Sequence, residues 1–275
     1  LRIDETLAWA KSLLINSDSA LLDAQILLAF VLQKETVYLM TWPERALTTT
    51  QKNSFETLIE QRIKGVPVAH LTGTREFWSL PLKVNDSTLI PRPDTEMLVE
   101  TALVNCLPQS SILDLGTGTG AIILALASEL PNTCCVAVDF NEDAVRLAQQ
   151  NATLLKINNI IFKHSNWFEK VTGQFDIIVS NPPYIDENDK HLKLGDVRFE
   201  PLSALVASEN GLADIRLIAN QARDYLNNNG QLLIEHGFEQ GQAVAEIFTA
   251  LGYQNIKTIK DYGANDRITI ATYKR

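Results

Sequence analysis

Two short stretches hold the residues whose types and spacing could do chemistry. In the first, Ile112-Leu113-Asp114-Leu115-Gly116-Thr117-Gly118-Thr119-Gly120-Ala121 runs from an apolar strand into a helix. Glycines at alternate positions, with Thr117 and Thr119 between them, let the backbone turn sharply and leave no Cβ to obstruct a ligand over the turn. Backbone N–H groups at the start of the helix are expected to face that ligand. About twenty residues on, Val136-Ala137-Val138-Asp139 puts a carboxylate at the end of a second strand, where it can accept two hydrogen bonds from the vicinal hydroxyls of a ribose. The pair points to a ribose-bearing cofactor. Gly116-x-Gly118-x-x-Ala121 also satisfies the relaxed dinucleotide fingerprint, so a nicotinamide cofactor is one candidate. Asp114 favours another, because a carboxylate just ahead of the loop opposes a pyrophosphate but suits an ammonium group. S-adenosyl-L-methionine carries that ammonium, a sulfonium and no phosphate. A P-loop is excluded, since no Gly-Lys-Ser/Thr ends the turn.

The second stretch is the strand Phe175-Asp176-Ile177-Ile178-Val179-Ser180 with Asn181-Pro182-Pro183-Tyr184 at its end. The carboxyl ends of strands form the edge at which open parallel sheets bind ligands. The prolines Pro182 and Pro183 remove two N–H donors and stiffen the backbone, leaving carbonyl groups pointing outward. The Asn181 side-chain oxygen and the Pro182 carbonyl can then accept both hydrogens of one planar –NH2 group, while Tyr184 stacks on the plane that bears it. An amide or aromatic amine nitrogen is a poor nucleophile, its lone pair being delocalised. Two hydrogen bonds accepted from its N–H groups raise electron density on nitrogen as positive charge develops, and in-line positioning against the sulfonium methyl supplies the rest. No nucleophilic serine or cysteine and no metal is required. Asn181 is not a strong base, so the proton leaves late, to an acceptor the sequence does not identify.

These stretches need a frame. Strands are expected at 112–115, 136–139, 160–164, 175–180 and 231–236, with helices at about 120–129, 141–152, 210–227 and 241–250. Such alternation predicts an α/β fold with a mostly parallel sheet covered on both faces. Two further strands, around 256–260 and 267–273, follow each other without a helix and are expected as a hairpin at one edge. Seven strands ending in a hairpin is the count of the class I methyltransferase sheet. Residues 1–72 have another texture: Leu7, Leu13 and Leu14, then Leu21, Leu22, Ile26, Leu27, Phe30 and Val31, recur at helical spacing. A third helix is announced by the capping box Thr48-Thr49-Thr50-Gln51 and stopped by Gly65-Val66-Pro67. The expected plan is a helical, substrate-docking domain over 1–72, a hairpin linker over 73–92 that turns at Pro81, and the transferase domain over 93–275.

With 275 residues, 45% hydrophobic and 21% charged, the chain has the composition of an ordinary globular protein of one large or two unequal domains. Its net charge of −9, of which residues 1–72 carry −1, weighs against a protein that grips nucleic acid through phosphates. Cys106, Cys134 and Cys135 have no metal or redox spacing, which fits reduced thiols in a cytoplasmic protein. His70, His164, His191 and His236 are scattered without ligand spacing, so no metal is expected. No apolar run is long enough to span a membrane and no signal pattern opens the chain.

At this point a resemblance is close. The combination resembles the amino-methyltransferases carrying (Asn/Asp/Ser)-Pro-Pro-(Tyr/Phe/Trp), and more narrowly the release-factor glutamine methyltransferases, the HemK family. The similar stretches are Ala69-His70-Leu71-Thr72-Gly73, Glu76-Phe77-Trp78, Leu89-Ile90-Pro91-Arg92-Pro93-Asp94-Thr95-Glu96, the glycine loop, Ser180-Asn181-Pro182-Pro183-Tyr184-Ile185 and Val197-Arg198-Phe199-Glu200-Pro201. The resemblance implies a Rossmann-like fold behind a small N-terminal helical domain. It also implies S-adenosyl-L-methionine as donor, S-adenosyl-L-homocysteine as product, and N5-methylation of the glutamine in the Gly-Gly-Gln motif of class-1 peptide chain release factors. By resemblance, Asn181 and the Pro182 carbonyl hold the glutamine amide and Tyr184 packs on it. Gly116, Gly118 and Gly120 wrap the cofactor, Asp139 takes the ribose and Trp167 lies along the adenine. The family's usual Asp before that tryptophan is Asn166 here, whose side-chain oxygen can still accept from the adenine N6 amine.

Several residues have plainer readings. Thr95 and Glu96 serve either the cofactor side of the cleft or the cap of the following helix, expected from Met97 to about Leu107. Arg92 and Arg198 are expected in salt bridges with acids such as Asp196 and Glu200, and Trp9, Trp42 and Phe30 in the core of the helical leader. Two other functions stay open, besides a non-catalytic interaction protein that retains the fold, against which the intact motifs argue. A base-amine methyltransferase would need its base unstacked or flipped out, and a nicotinamide dehydrogenase would leave Asn-Pro-Pro-Tyr idle.

Overall fold

The computed structural model describes residues 1–193 and 195–275; the side chain of His191 lies outside the described residues. Two compact units emerge, Leu1–Thr74 with Lys193–Phe199, and Arg75–Leu192 with Glu200–Arg275. The short run 193–199 therefore belongs with the helical unit, which a linear division of the chain does not anticipate.

The helical unit contains α1 (Ile3–Leu13), α2 (Ala20–Leu32), α3 (Thr36–Thr41), α4 (Thr49–Ile63) and α5 (Val68–Thr72). The capping box forms at α4: Gln51 N–H donates to Thr48 Oγ1 at 3.2 Å, and Thr48 N–H donates to Gln51 Oε1 at 2.9 Å. The core gathers Ile3, Ala10, Leu27, Leu28, Leu39, Phe55 and Ile59. Two sequence expectations fail here. Phe30 is 48% exposed and Trp42 43% exposed, whereas Trp9 does pack on the core beside Phe55. The reason lies in α2, which is apolar on nearly every side, so periodicity cannot choose a face. The buried face runs through Ala24, Leu27 and Leu28, and Leu21, Leu22 and Phe30 are left outside. Trp42 carries the Arg45 guanidinium 5.1 Å from its ring instead. Asp196 pairs not with Arg198 but with Arg62, at 2.9 Å, and Arg62 also binds the buried Asp23 at 2.8 Å. Arg198 donates to the Lys64 carbonyl at 3.0 Å.

The second unit opens with a two-stranded sheet, β1 (Thr74–Phe77) and β2 (Leu80–Lys83). Its turn is at Trp78-Ser79, both left-handed with φ 53° and 57°, not at Pro81, which stands inside β2. Two residues at positive φ match the twist of a tight hairpin. Glu96 accepts the Trp78 backbone N–H at 2.9 Å and Glu129 accepts its indole N–H at 2.9 Å, which holds the turn in that conformation.

Thereafter come α6 (Glu96–Asn105), β3 (Ser111–Leu115), α7 (Ala121–Glu129), β4 (Cys134–Asp139), α8 (Glu142–Leu155), β5 (Ile160–His164) and β6 (Phe175–Ser180). The chain ends with α9 (Ser208–Gly211), α10 (Ala213–Tyr225), β7 (Leu226–Glu235), α11 (Gly241–Ala250), β8 (Gln254–Lys260) and β9 (Asp266–Thr272). The seven-stranded sheet has the order β5-β4-β3-β6-β7-β9-β8. Its first five strands are parallel, and β9 joins antiparallel between β7 and the edge strand β8. Both faces are buried: Ile112, Ile177, Val179 and Leu233 enter one core, Leu113, Leu115, Ile178, Leu232 and Ile234 the other. Strands covered on two sides read as continuous apolar runs, which is why they are legible in the sequence.

Strand order reverses between β3 and β6, where Leu115 pairs with Ser180. The Ser180 hydroxyl donates to the Leu115 carbonyl at 2.8 Å. The glycine turn and the Asn-Pro-Pro-Tyr turn therefore leave the sheet side by side, at a topological switch point. Gly120, φ 84°, ends the first turn against α8: a Cβ there would stand 2.9 Å from Leu124 Cδ1 and 3.1 Å from Ala148 Cβ. Gly120→Ala combines a left-handed backbone with overpacking and is expected to destabilise the protein by about 2–4 kcal/mol. Chemical denaturation monitored on the sheet unit checks this, and an unchanged midpoint contradicts it.

Candidate active site

A cavity of about 310 Å3 opens above the switch point. It brings together Gly116, Thr117, Gly118 and Thr119 after β3, Asp139 at the end of β4, Asn166 and Trp167 after β5, and Asn181 and Pro183 after β6. Not every expected residue faces it. Asp114, Gly120, Pro182 and Tyr184 are absent from the lining. Asp114 and Pro182 are buried, and Tyr184 packs against the core face that holds α10 and α11, with its hydroxyl toward Arg267.

The glycine turn is closed upon itself. Gly116 N–H and Thr117 N–H both donate to the Val138 carbonyl, at 2.9 and 3.0 Å, and Gly120 N–H donates to the Thr117 carbonyl at 2.8 Å. Gly118 N–H donates to Asp139 Oδ2 at 2.8 Å. These four N–H groups of the turn are thus engaged within the protein, while Ala121 and Ile122, at the start of α7 where the sequence expects donors toward a ligand, line the cavity. The turn offers the cavity a bare backbone surface instead. At Gly116 a Cβ would meet the Trp167 ring only at ordinary contact, 3.5 Å, so it is the left-handed backbone, φ 73°, that calls for glycine there.

Asp139 is fixed at both oxygens, Oδ2 by Gly118 and Oδ1 by Asn141 N–H at 2.8 Å. Each oxygen retains acceptor capacity toward the cavity. Burial raises its pKa, offset by these N–H bonds and the charge of His164. Trp167 sits at φ 45°, in a turn fastened by Ser165, whose hydroxyl donates to the Trp167 carbonyl at 2.9 Å and accepts Lys170 N–H at 2.9 Å. The Trp167 indole N–H faces the Asp214 carboxylate, which also borders the cavity. Asn166 Nδ2 donates to Glu169 Oε1 at 2.9 Å, which leaves Oδ1 as the atom available for a cavity donor.

Other lining residues lie outside the two sheet-end motifs, Leu89 and Arg92 among them falling in a stretch that the family resemblance marks. Ser87, Thr88, Leu89 and Arg92 come from the segment expected as a linker, and Ser203, Ala204 and Asp214 from beyond the sheet motifs. Asn151, fully buried on α8, ties that segment to the loop: it accepts Lys83 N–H at 2.8 Å and donates to the Lys83 and Thr119 carbonyls at 3.1 and 2.9 Å. Thr95 lines the cavity, whereas Glu96 is spent on the Trp78 turn. Arg92 pairs with Glu200 at 2.6 Å, as expected. Among the described residues no group of three or more His, Cys, Asp or Glu side chains could hold a metal ion.

A doubly covered seven-stranded sheet, with a glycine turn and an Asn-Pro-Pro-Tyr turn adjoining at its switch point, defines a class I, Rossmann-like methyltransferase. Residues 93–251 match the methyltransferase small domain family and residues 5–73 the PrmC N-terminal domain family. The chain belongs to the release factor glutamine methyltransferases. It is 55% identical to the Shewanella oneidensis release factor glutamine methyltransferase, over 98% of this chain and 96% of that protein. It is 53% identical to the Escherichia coli enzyme of the same name, over 96% of each. In fold it is similar to a methyltransferase from Pyrococcus furiosus, with a TM-score of 0.55 at 19% identity over 71% of this chain and 90% of the other.

Asp114 is the electrostatic anomaly of the loop. Its Oδ2 accepts the Thr117 hydroxyl at 2.6 Å, while Oδ1 is buried without a hydrogen bond. Burial pushes its pKa up to about 7, the Thr117 bond opposing and the Asp139 charge adding. Because the folded pKa lies above the unfolded value, the stability tied to this group is complete below the unfolded pKa and is lost as pH rises through about 7. Asp114→Asn cannot ionise, so its melting temperature is expected to gain on the wild type as pH rises from about 5 to 8. Paired thermal scans across that range test this; a gap that is constant or closes with pH contradicts it.

Proposed function

We propose that this chain transfers the methyl group of S-adenosyl-L-methionine to the side-chain nitrogen (N5) of the glutamine in the Gly-Gly-Gln motif of class-1 peptide chain release factors. The reading rests above all on one adjacency: Asn181 and Asp139, an amide acceptor and a ribose-type carboxylate, face one cavity. The relatives' names supply the protein substrate. Release factors work where translation terminates, so this reading assigns the reaction to the cytoplasm.

The residues present suit that cofactor. The chemistry supplied by bound S-adenosyl-L-methionine is an electrophilic methyl on a sulfonium, with S-adenosyl-L-homocysteine left behind. Asp139 accepts from the ribose diol, and Trp167, which lines the same cavity, lies along the adenine. Asn166 Oδ1 accepts from the adenine amine, the role the family gives to an Asp.

Asn181 Oδ1 and the Pro182 carbonyl accept the two hydrogens of the glutamine –NH2, with Pro183 bordering the cavity, while Tyr184, packed on the core beside α10 and α11, braces the turn from behind. The Pro182 carbonyl is held by the rigid backbone of two prolines, and the Asn181 amide is tethered through its Nδ2 to Thr95 Oγ1 at 3.3 Å, so both acceptors are placed before substrate arrives. Their lone pairs strengthen their bonds as the nitrogen becomes positive, which favours the transition state over the ground state. Deprotonation follows methyl transfer, because no strong base is needed to make the nitrogen attack.

An assay with labelled methyl donor decides the acceptor. Label is expected on a class-1 release factor and not on its Gln-substituted form or on DNA; label on DNA, or equal label on the substituted protein, removes this reading. Asn181→Ala is expected to lose about 2–4 kcal/mol of transition-state stabilisation while its affinity for S-adenosyl-L-homocysteine barely changes. Turnover and calorimetry together check it, and lost cofactor binding with turnover retained contradicts the assignment.

A further inference from the structure

The adjacent end of β7 carries a carboxylate that the mechanism above does not use. Glu235 is 2% exposed, and its Oε2 is buried without a hydrogen bond. The β6–β7 register pairs Ser180 with Ile234, so Asn181 and Glu235 are the next residues along neighbouring parallel strands. The Thr95 hydroxyl and the Asn181 amide are the neutral polar groups that face the Glu235 carboxylate. Asn181 Nδ2 also donates to Thr95 Oγ1 at 3.3 Å.

An asparagine amide can present oxygen or nitrogen with nearly the same shape. Only the oxygen serves here, since an –NH2 turned to the substrate would confront another –NH2. Thr95 alone cannot choose, because a hydroxyl donates or accepts equally well. An ionised carboxylate accepts only. It takes the Thr95 hydroxyl proton, leaves the Thr95 lone pairs for Asn181 Nδ2, and attracts that Nδ2 directly. Both effects turn Asn181 Oδ1 away from Glu235 and toward the cavity.

We infer that Glu235 is a positioning residue: acting through Thr95 and Asn181, its buried carboxylate fixes the Asn181 amide with oxygen facing the substrate nitrogen. This rests on the methyl-transfer reading above. Protonated Glu235 gains a donor and loses that discrimination. Burial raises its pKa to about 7, with Thr95, Asn181 and the charge of Arg267 opposing and the charge of Asp94 adding. Tyr184 faces the same carboxylate from the loop after β6, and Arg267, on β9, is itself paired with Asp261 at 3.0 Å.

The experiment compares wild type with Glu235→Gln, at saturating donor and release factor, from about pH 5.5 to 8.5. Label on the release factor and not on its Gln-substituted form by the wild type establishes the underlying reading separately. At the alkaline end the variant is expected to show a kcat about 10- to 100-fold lower, with affinity for S-adenosyl-L-homocysteine unchanged. Toward the acid end the ratio should approach unity, because protonated Glu and Gln both carry a donor and an acceptor. A ratio below twofold at the alkaline end, or one constant across the range, overturns the inference; a merely structural role gives the constant ratio. Should Glu235→Gln fail to fold, Thr95→Val cuts one arm of the relay. Its kcat is expected to fall at the alkaline end, by less than a full loss of the relay would cause, and to converge on the wild type toward the acid end; a deficit that is absent or constant across the range overturns the inference.

Discussion

β3 and β6 run side by side with Leu115 opposite Ser180, and the Ser180 hydroxyl donates to the Leu115 carbonyl. From that pairing everything at the cavity follows. The two chains leave the sheet at the same level, one through glycines, the other through prolines. Slipping a parallel strand by one residue would turn its side chains to the opposite face, and both faces here are packed cores, so the register is firmly fixed. The site inherits its precision from that packing rather than from its own loops.

Around this edge the protein buries two carboxylates, Asp114 and Glu235, each raised to a pKa of about 7 by loss of solvent. Isolated buried charge is costly, and residues of this kind persist where their acceptor-only character is useful. Asp114 lies beneath the glycine turn and accepts the Thr117 hydroxyl. Glu235 lies behind the Asn181 turn. Each of the two functional turns is thus backed by a carboxyl group out of reach of water, which, once ionised, sets the direction of the donors around it.

The helical unit has its own organising group. Arg62 joins Asp23, near the start of α2, to Asp196, and its Nη1 also donates to the Val66 carbonyl at 3.1 Å. Asp23 in turn accepts the hydroxyls of Ser17 and Ser19, both at 2.8 Å. One arginine so ties the entry to α2, the exit from α4 and a segment more than a hundred residues away in sequence.

The amino-acid sequence by itself determined the strands buried on both faces, the α4 capping box, the two turns and the chemistry their residue types permit, since each depends on neighbours along the chain. It also carried the family, through motifs of rigid local shape. Only tertiary structure decided which face of the uniformly apolar α2 is buried, that Trp78-Ser79 rather than Pro81 makes the hairpin turn, and that the glycine-loop N–H groups are engaged internally. Asn151 and Glu235 had no local signature, because what gives them meaning is the approach of a loop or strand distant in sequence. Spacing along a chain records periodicity and turn chemistry; which buried polar groups meet is fixed only when the sheet closes over them.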